Sequence, residues 1–212
     1  MDIVAEFKKY SVTVISDVMD KLGLHGILNG IHSINEGVKI VGKAVTVKGS
    51  AGVLGSYDLS EFKIGSIIDE CKEGEVIVID IDGACVSVWG GLASLAAKMK
   101  GIEGVVVNGG VRDIDEIKKL KFPVFTKHVT PRSGKTRVKI QSINEPIQIN
   151  GVRIKKGDII IGDDTGVISI NSEKVQEVLN LSKELEEKER VFSELIGKGL
   201  SFRRIAEELK HM

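Results

Sequence analysis

Apolar residues recur at helical spacing through positions 3–22, which predicts one amphipathic helix or two short ones. Ser11 or Thr13 is the candidate cap of the second piece, with Asp17 in its first turn. Gly23, Gly26 and Gly30 then interrupt the chain. VKIVGKAVTVKGS (38–50) alternates and is β-branched, a strand ending at Gly49. Residues 59–74 carry a helical pattern stopped by Gly74. EVIVIDI (75–81) is nearly continuous apolar, the mark of a strand buried on both faces. ACVSVWG (84–90) predicts a short strand or turn, and GLASLAAKMKG (91–101) an Ala-rich helix ended by Gly101. GVVVN (104–108) is the next buried strand, DIDEIKKLK (113–121) a short helix, FPVFTKHV (122–129) a strand and TPRSGKTR (130–137) a polar loop.

After the loop the pattern changes to strands: VKIQSI (138–143), EPIQI (145–149), an Asn-Gly hairpin signal at 150–151, and on to a final strand at 167–170. The middle of the chain therefore reads as α/β and the following part as a β-meander. The segment 172–212 reads as a helical C-terminal extension of a single domain, 1–212. Its narrow apolar stripe, Leu181, Leu185, Val191, Leu195 and Ile196, either packs on its own domain or reaches a neighbouring subunit.

Composition narrows the function. The 212 residues are 42% hydrophobic and 28% charged, with a formal net charge of zero. No global basic field supports a nucleic-acid or membrane-surface role. Acidic residues interrupt the first fourteen positions, so no signal peptide is expected, and no run approaches the ~18 apolar residues of a membrane span. Cys71 and Cys85 lack CxxC spacing, and Cys85 falls in an apolar strand pattern. Two reduced thiols and a cytoplasmic location are expected. His25, His32, His128 and His211 form no HxH or HExxH pair, which argues against zinc.

The chemistry concentrates in NGGVRD (108–113), at the carboxyl end of a buried strand, where α/β sheets collect ligands. Gly109 and Gly110 permit positive φ or close backbone approach. The Arg112 guanidinium suits a carboxylate or a carbonyl oxygen, and the Asp113 carboxylate suits a hard divalent cation. The plainer alternative is an ion pair at Arg112 and a helix cap at Asp113. WGGLAS (89–94) adds a second element: the first free N–H groups of its helix, near Leu92 and Ala93, form an anion seat. Two adjacent strand ends, one offering N–H groups and one an Arg-Asp pair, describe a carboxylate-plus-metal site better than either does alone.

The span GGLASLAAKMKGIEGVVVNGGVRD, followed by FPVF (122–125) and TPRSGKTR (130–137), resembles the RraA-like family. SDVMDKLG (16–23), VGKAVTV (41–47) and GVRIKKGDIIIGDDTGVISI (151–170) extend the likeness over nearly the whole chain. That family includes class II aldolases acting on 4-hydroxy-4-methyl-2-oxoglutarate and the regulator of ribonuclease E activity A. The resemblance implies a three-layer β/β/α swivelling-domain-like fold with a C-terminal helical tail, and a homotrimer or dimer of trimers with sites between subunits. It implies Mg²⁺ or Mn²⁺ on Asp113, and Arg112 on the keto oxygen of a pyruvoyl group. It also implies that the segment Gly90, Gly91, Leu92 and Ala93 binds the substrate carboxylate. An acidic residue from a neighbour's C-terminal helix is implied as well, with Glu189 and Glu194 as candidates; a solvated helix face is the alternative for each.

The implied activity is a metal-dependent carbon–carbon lyase on 2-oxo acids, by retro-aldol cleavage or oxaloacetate decarboxylation through one pyruvate enolate. Sugar acids or phosphorylated keto acids would suit Arg132 and Lys135 if these face the site. The different class of function is a non-catalytic regulatory binding protein; retention of Asp113 argues against it, because the ribonuclease regulator lacks that aspartate. A methyltransferase has no support, as no nucleotide-type glycine loop is present.

The chain departs from the aldolase pattern at Gly91, where an acidic residue that assists proton transfer is usual, and at Asn108, where Asp is common. Loss of one acid/base group costs ~10²–10⁴ in rate, which bears on aldol cleavage more than on decarboxylation. Asp163-Asp164 reads as a strand connector, and Trp89, Cys85 and His128 as packing residues.

Overall fold

The computed structural model describes residues 2–208. The chain opens with α1 (Ile3–Phe7) and α2 (Val12–Lys21). Ser11 is the cap: its hydroxyl accepts the Val14 N–H at 3.2 Å, and Thr13 only bonds the Ser11 hydroxyl. The remaining elements are β1 (His32–Ser33), β2 (Ile40–Ala51), α3 (Ile64–Glu70), β3 (Glu75–Asp80), β4 (Ser87–Trp89), α4 (Gly91–Met99), β5 (Gly104–Val111), α5 (Ile114–Leu120), β6 (Val124–Val129), β7 (Val138–Ile143), β8 (Ile147–Ile149), β9 (Val152–Ile154), β10 (Ile159–Asp163), β11 (Gly166–Ile170), α6 (Val175–Gly197) and α7 (Phe202–Glu208).

Nine strands form one mixed sheet in the order β1-β6-β5-β3-β2-β10-β11, with β4 added beside β5 and β7 beside β2. The strands β2, β3, β5 and β6 are parallel, as expected where helices connect them. Residues 26–28 bond to β11 and β1 bonds to β6, so the sheet nearly closes on itself. Gly26 permits this approach, since a Cβ there would lie 2.3 Å from the Ser169 carbonyl oxygen.

Strand periodicity sorts the core into layers. Val76, Val78, Val106 and Ile160 turn to one face, where the β8–β9 hairpin covers them with Ile147, Ile149, Val152 and Ile154. Their neighbours Ile77, Ile79, Val105 and Val107 turn to the other face, under α3, α4 and α5. The same helical side continues over Ile159, Ile161, Ile168 and Ile170 with α1, α2 and α6. Hairpin, sheet and helices are the three layers that the resemblance implied.

Four expectations change. The helix read over 59–74 is a 3-10 turn at Leu59–Phe62, then α3, broken by Lys63 at φ 36°. Glu61 anchors that turn, accepting the Asp58 N–H at 3.1 Å and pairing with Lys139 at 2.6 Å. The strands after 138 are not a meander: β10 pairs with Ile40–Lys43 of β2, β7 with Val47–Ala51, and β8–β9 stands apart. Strand β5 runs on to Val111, with a register shift between Val107 and Gly110, so Asn108, Gly109 and Gly110 lie within the sheet.

Cys85 is exposed rather than core, because Asp82 and Gly83 turn with positive φ and leave residues 84–86 outside any strand. The tail starts inside the core: Val175, Val178, Leu179 and Leu185 are buried with α2, while Ile196 is exposed. Phe192 packs edge-on against Phe202 of α7. His211 lies outside the described residues. No helix among the described residues is long and apolar enough to cross a membrane.

Candidate active site

Strand β4 lies parallel to β5, with Ser87 opposite Gly110 and Trp89 opposite Val111. The chain therefore leaves both strands at the same end and side by side. Gly110 makes the approach possible, because a Cβ there would lie 2.7 Å from the Val86 carbonyl oxygen. Its φ is not positive, so of the two uses expected for this glycine pair, close approach is the one realised. The Arg112 N–H donates to the Trp89 carbonyl at 3.1 Å and locks the two exits together.

Asp113 follows at φ 59°, a left-handed conformation that Asp tolerates better than most residues. It makes no side-chain cap on α5. It reaches across instead, and its Oδ2 accepts the N–H of Gly91, the first residue of α4, at 3.1 Å. Gly90 leaves room for this carboxylate: a Cβ there would lie 2.6 Å from the same oxygen. The Arg112 Nε is 3.6 Å from it, with both side chains about 40% exposed. An ion pair this open to water adds little stability.

Next along α4, the N–H groups of Leu92 and Ala93 have no partner among the described residues; Ser94 N–H is the first to bond back, to Gly90 at 3.0 Å. Trp89, buried beneath, donates its indole N–H to the Ser94 hydroxyl at 2.9 Å and fixes this turn. The cleft above is about 180 Å³ and is lined by Phe62, Ile64, Leu92, Ala93, Arg112 and Lys135, among others. The polar loop forms its far wall. Arg132 holds the Ser87 N–H through its carbonyl at 2.8 Å, and a Cβ on Gly134 would lie 2.3 Å from the Ser87 carbonyl oxygen. Lys135 faces the cleft and Arg132 is not part of its lining.

Arg112, Asp113, Gly90, Leu92 and Ala93 thus meet in one place. Glu189 and Glu194 do not line this cleft of their own chain. Glu189 sits with Asp17, Asp20 and Leu185 between α2 and α6, where burial, then Glu186 and Asp17, raise its carboxyl above the ordinary range. Glu194 pairs with Arg190 one turn back on α6. Asn108 serves a different cluster, donating to buried Asp80 at 2.8 Å. His128 bonds the Gly83 carbonyl at 3.0 Å. Asp163 accepts the Val12 N–H at 2.9 Å, and Asp164 accepts the Gly37 N–H, as connectors do.

Beyond the expected residues, Phe62, Ile64, Ser133 and Gly134 line the cleft, and the Glu116 carboxylate lies over Gly91. Glu116 had a signal: it follows Asp113 by three, on the same side of a short helix. Among the described residues no three His, Cys, Asp or Glu gather as metal ligands, so a closed protein cage is absent. One or two carboxylates beside open space is the donor set of Mg²⁺ or Mn²⁺, which complete their shells with water and substrate oxygens. The residues present fit such an ion.

This site lies where the parallel strands β4 and β5 end side by side. Residues 12–169 match the RraA-like model, described as Aldolase/RraA, and the chain belongs to that family. A relative from Halalkalibacterium halodurans, named "Putative 4-hydroxy-4-methyl-2-oxoglutarate aldolase", is 33% identical over 216 residues, covering 100% of this chain and 97% of its own. Uncharacterized protein MJ0644 of Methanocaldococcus jannaschii is 47% identical over 117 residues, and the match spans only 56% of that relative. Among solved structures, an uncharacterized protein from Pseudomonas syringae pv. tomato superposes with a TM-score of 0.86 at 29% identity over 96% of each chain. Streptomyces coelicolor RraAS2, an unusual member of the RNase ES inhibitor RraA protein family, shares the fold with a TM-score of 0.80 at 23% identity, over 90% of this chain and 94% of its own.

Proposed function

We propose that this protein is a divalent-metal-dependent lyase that cleaves 2-oxo acids through a pyruvate enolate. One observation carries the reading: the unfilled N–H groups of Leu92 and Ala93 and the guanidinium of Arg112 line the same cleft. The amides seat the substrate carboxylate at the start of α4, where the helix dipole favours an anion. Arg112 donates to the neighbouring keto oxygen and holds the negative charge that grows on it as the carbon–carbon bond breaks. Removing one such donor typically costs ~10²–10³ in kcat. Asp113, steadied by the Gly91 N–H, would hold Mg²⁺ or Mn²⁺, and the ion when bound supplies a second positive charge toward that oxygen. The name of the Halalkalibacterium halodurans relative supports retro-aldol cleavage of a 4-hydroxy-2-oxo acid.

The protein acts in the cytoplasm as a homotrimer or dimer of trimers in this reading. Exposed Leu92, Leu95 and Met99 along one face of α4 support a subunit contact beside the cleft.

The test is pyruvate release from oxaloacetate and from 4-hydroxy-4-methyl-2-oxoglutarate, with and without Mg²⁺ or Mn²⁺, beside Asp113→Ala. Metal-dependent release that the variant loses is expected. No release above the metal-only blank, with no metal-dependent shift in melting temperature, would sink the lyase and favour a non-catalytic binding protein.

A further inference from the structure

Retro-aldol cleavage needs a group that takes the proton of the C4 hydroxyl. The cleft lining offers none free for it: Arg112 and Lys135 are cationic side chains, and Asp113 is engaged by Gly91 and Arg112. An acid beside the cleft, exposed and just outside its lining, is Glu116 in the first turn of α5. Its carboxylate has no hydrogen-bond or ion-pair partner among the described residues. It lies over Gly91, where a Cβ would be 2.0 Å from its Oε2 and 3.1 Å from its own Cβ. Gly91 is accordingly buried while Leu92 beside it is exposed. Glu116 therefore stands where a side chain at position 91 would begin. The N–H of that same glycine holds the Asp113 carboxylate, so two acids from one helix start converge on one residue.

We propose that Glu116 is the proton-handling carboxylate of this site, supplying from α5 the acid that Gly91 does not carry on α4. The inference rests on the lyase reading. Through solvent water, Glu116 takes the proton from the C4 hydroxyl, and the C4–O bond becomes a carbonyl. The C3–C4 bond breaks, and its electron pair becomes the C2=C3 bond of the enolate, with the charge on the C2 oxygen beside Arg112. Protonated Glu116 then returns the proton to C3, giving the pyruvate methyl group and restoring the carboxylate. Oxaloacetate loses carbon dioxide without a base, so that reaction depends on Glu116 far less.

Glu116→Gln, Gly91→Asp and the double variant Gly91→Asp/Glu116→Ala separate these roles in the full chain with Mn²⁺. Glu116→Gln is expected to lower kcat on 4-hydroxy-4-methyl-2-oxoglutarate by ~10²–10⁴, and to cost oxaloacetate decarboxylation at least about tenfold less. Gly91→Asp is expected to lower the melting temperature by crowding Glu116, and the double variant to recover both stability and cleavage. Equal losses on the two substrates, no loss on either, or a double variant no better than Gly91→Asp alone would overturn the role. No pyruvate from either substrate with the unmodified protein overturns the lyase reading itself; the thermal coupling of residues 91 and 116 would still register in that case.

Discussion

The carboxylate of Asp113 accepts the backbone N–H of Gly91, 22 positions earlier in the chain, at 3.1 Å. The bond joins the end of one strand to the start of the helix after its neighbour. It makes Asp113 a structural residue and a ligand candidate at once, and the two roles are separable. Asp113→Asn keeps an acceptor for Gly91 and tolerates φ 59°, so its urea midpoint should stay near the parent value while metal-dependent pyruvate release disappears. Asp113→Ala loses the acceptor and is strained at that φ, and should cost about 1–2 kcal/mol more. Equal stability of the two variants would show that the bond to Gly91 contributes nothing.

Asn108 and Asp80 form a second such pair. Buried Asp80 accepts from Asn108 at 2.8 Å, from the Asp82 N–H at 2.9 Å and from Lys48 at 2.7 Å. An Asp at position 108 would here set two carboxylates against each other. Asn108→Asp should destabilise by about 3 kcal/mol at pH 7. Adding a proton relieves the repulsion, so the loss should shrink as pH falls through the carboxylate range. A loss unchanged from pH 7 to pH 4 would mean that packing, not charge, is at fault.

The two thiols differ in reactivity. Burial, with Glu75 next, pushes Cys71 up to about 12, and its sulfur donates to the Ile67 carbonyl. Cys85 is exposed. A disulfide reagent at pH 8 should modify Cys85 alone in the folded protein, and both cysteines in denaturant. Rapid loss of both thiols without denaturant would contradict the buried placement of Cys71.

Glu189 should weaken the fold at neutral pH. Burial and its acidic neighbours raise its folded pKa above the ordinary 4.5. The unfolded chain then ionises first as pH rises, so the penalty is absent below that value and complete above the folded one. Glu189→Gln should raise the melting temperature at pH 7 by roughly 1–2 °C and leave it unchanged at pH 3. A gain persisting at pH 3 would point to packing. If the variant also lowers turnover in the assembled protein, Glu189 serves a neighbour's cleft as well.

Elements with strong local signals were legible before the structure. Alternation and β-branching mark β2, the unbroken apolar run marks β3, and Asn150-Gly151 mark a hairpin whose two residues both take positive φ. Arg112, Asp113, Leu92 and Ala93 were readable as candidate site residues because helix starts and strand ends have fixed chemistry. What was not legible depends on distant partners. Cys85 looks apolar in a one-dimensional pattern, yet the turn at Asp82 removes it from the sheet. Strand β5 outruns its apolar residues because β4 and β6 supply hydrogen bonds to the glycines. Glu116 follows Asp113 by three, yet it gains meaning only once α5 is laid beside Gly91, a contact between two helices that the fold sets.

The twelve-residue strand β2 bonds to β3 along one edge, and along the other to β10 over its first half and β7 over its second. Neither half of the sheet can peel away while the other stays paired, because both are riveted to the same backbone. The molecule should thus lack a detachable subdomain. Its slowest amide protons should be those at the centre of β2, exchanging only when the whole chain opens in one cooperative event.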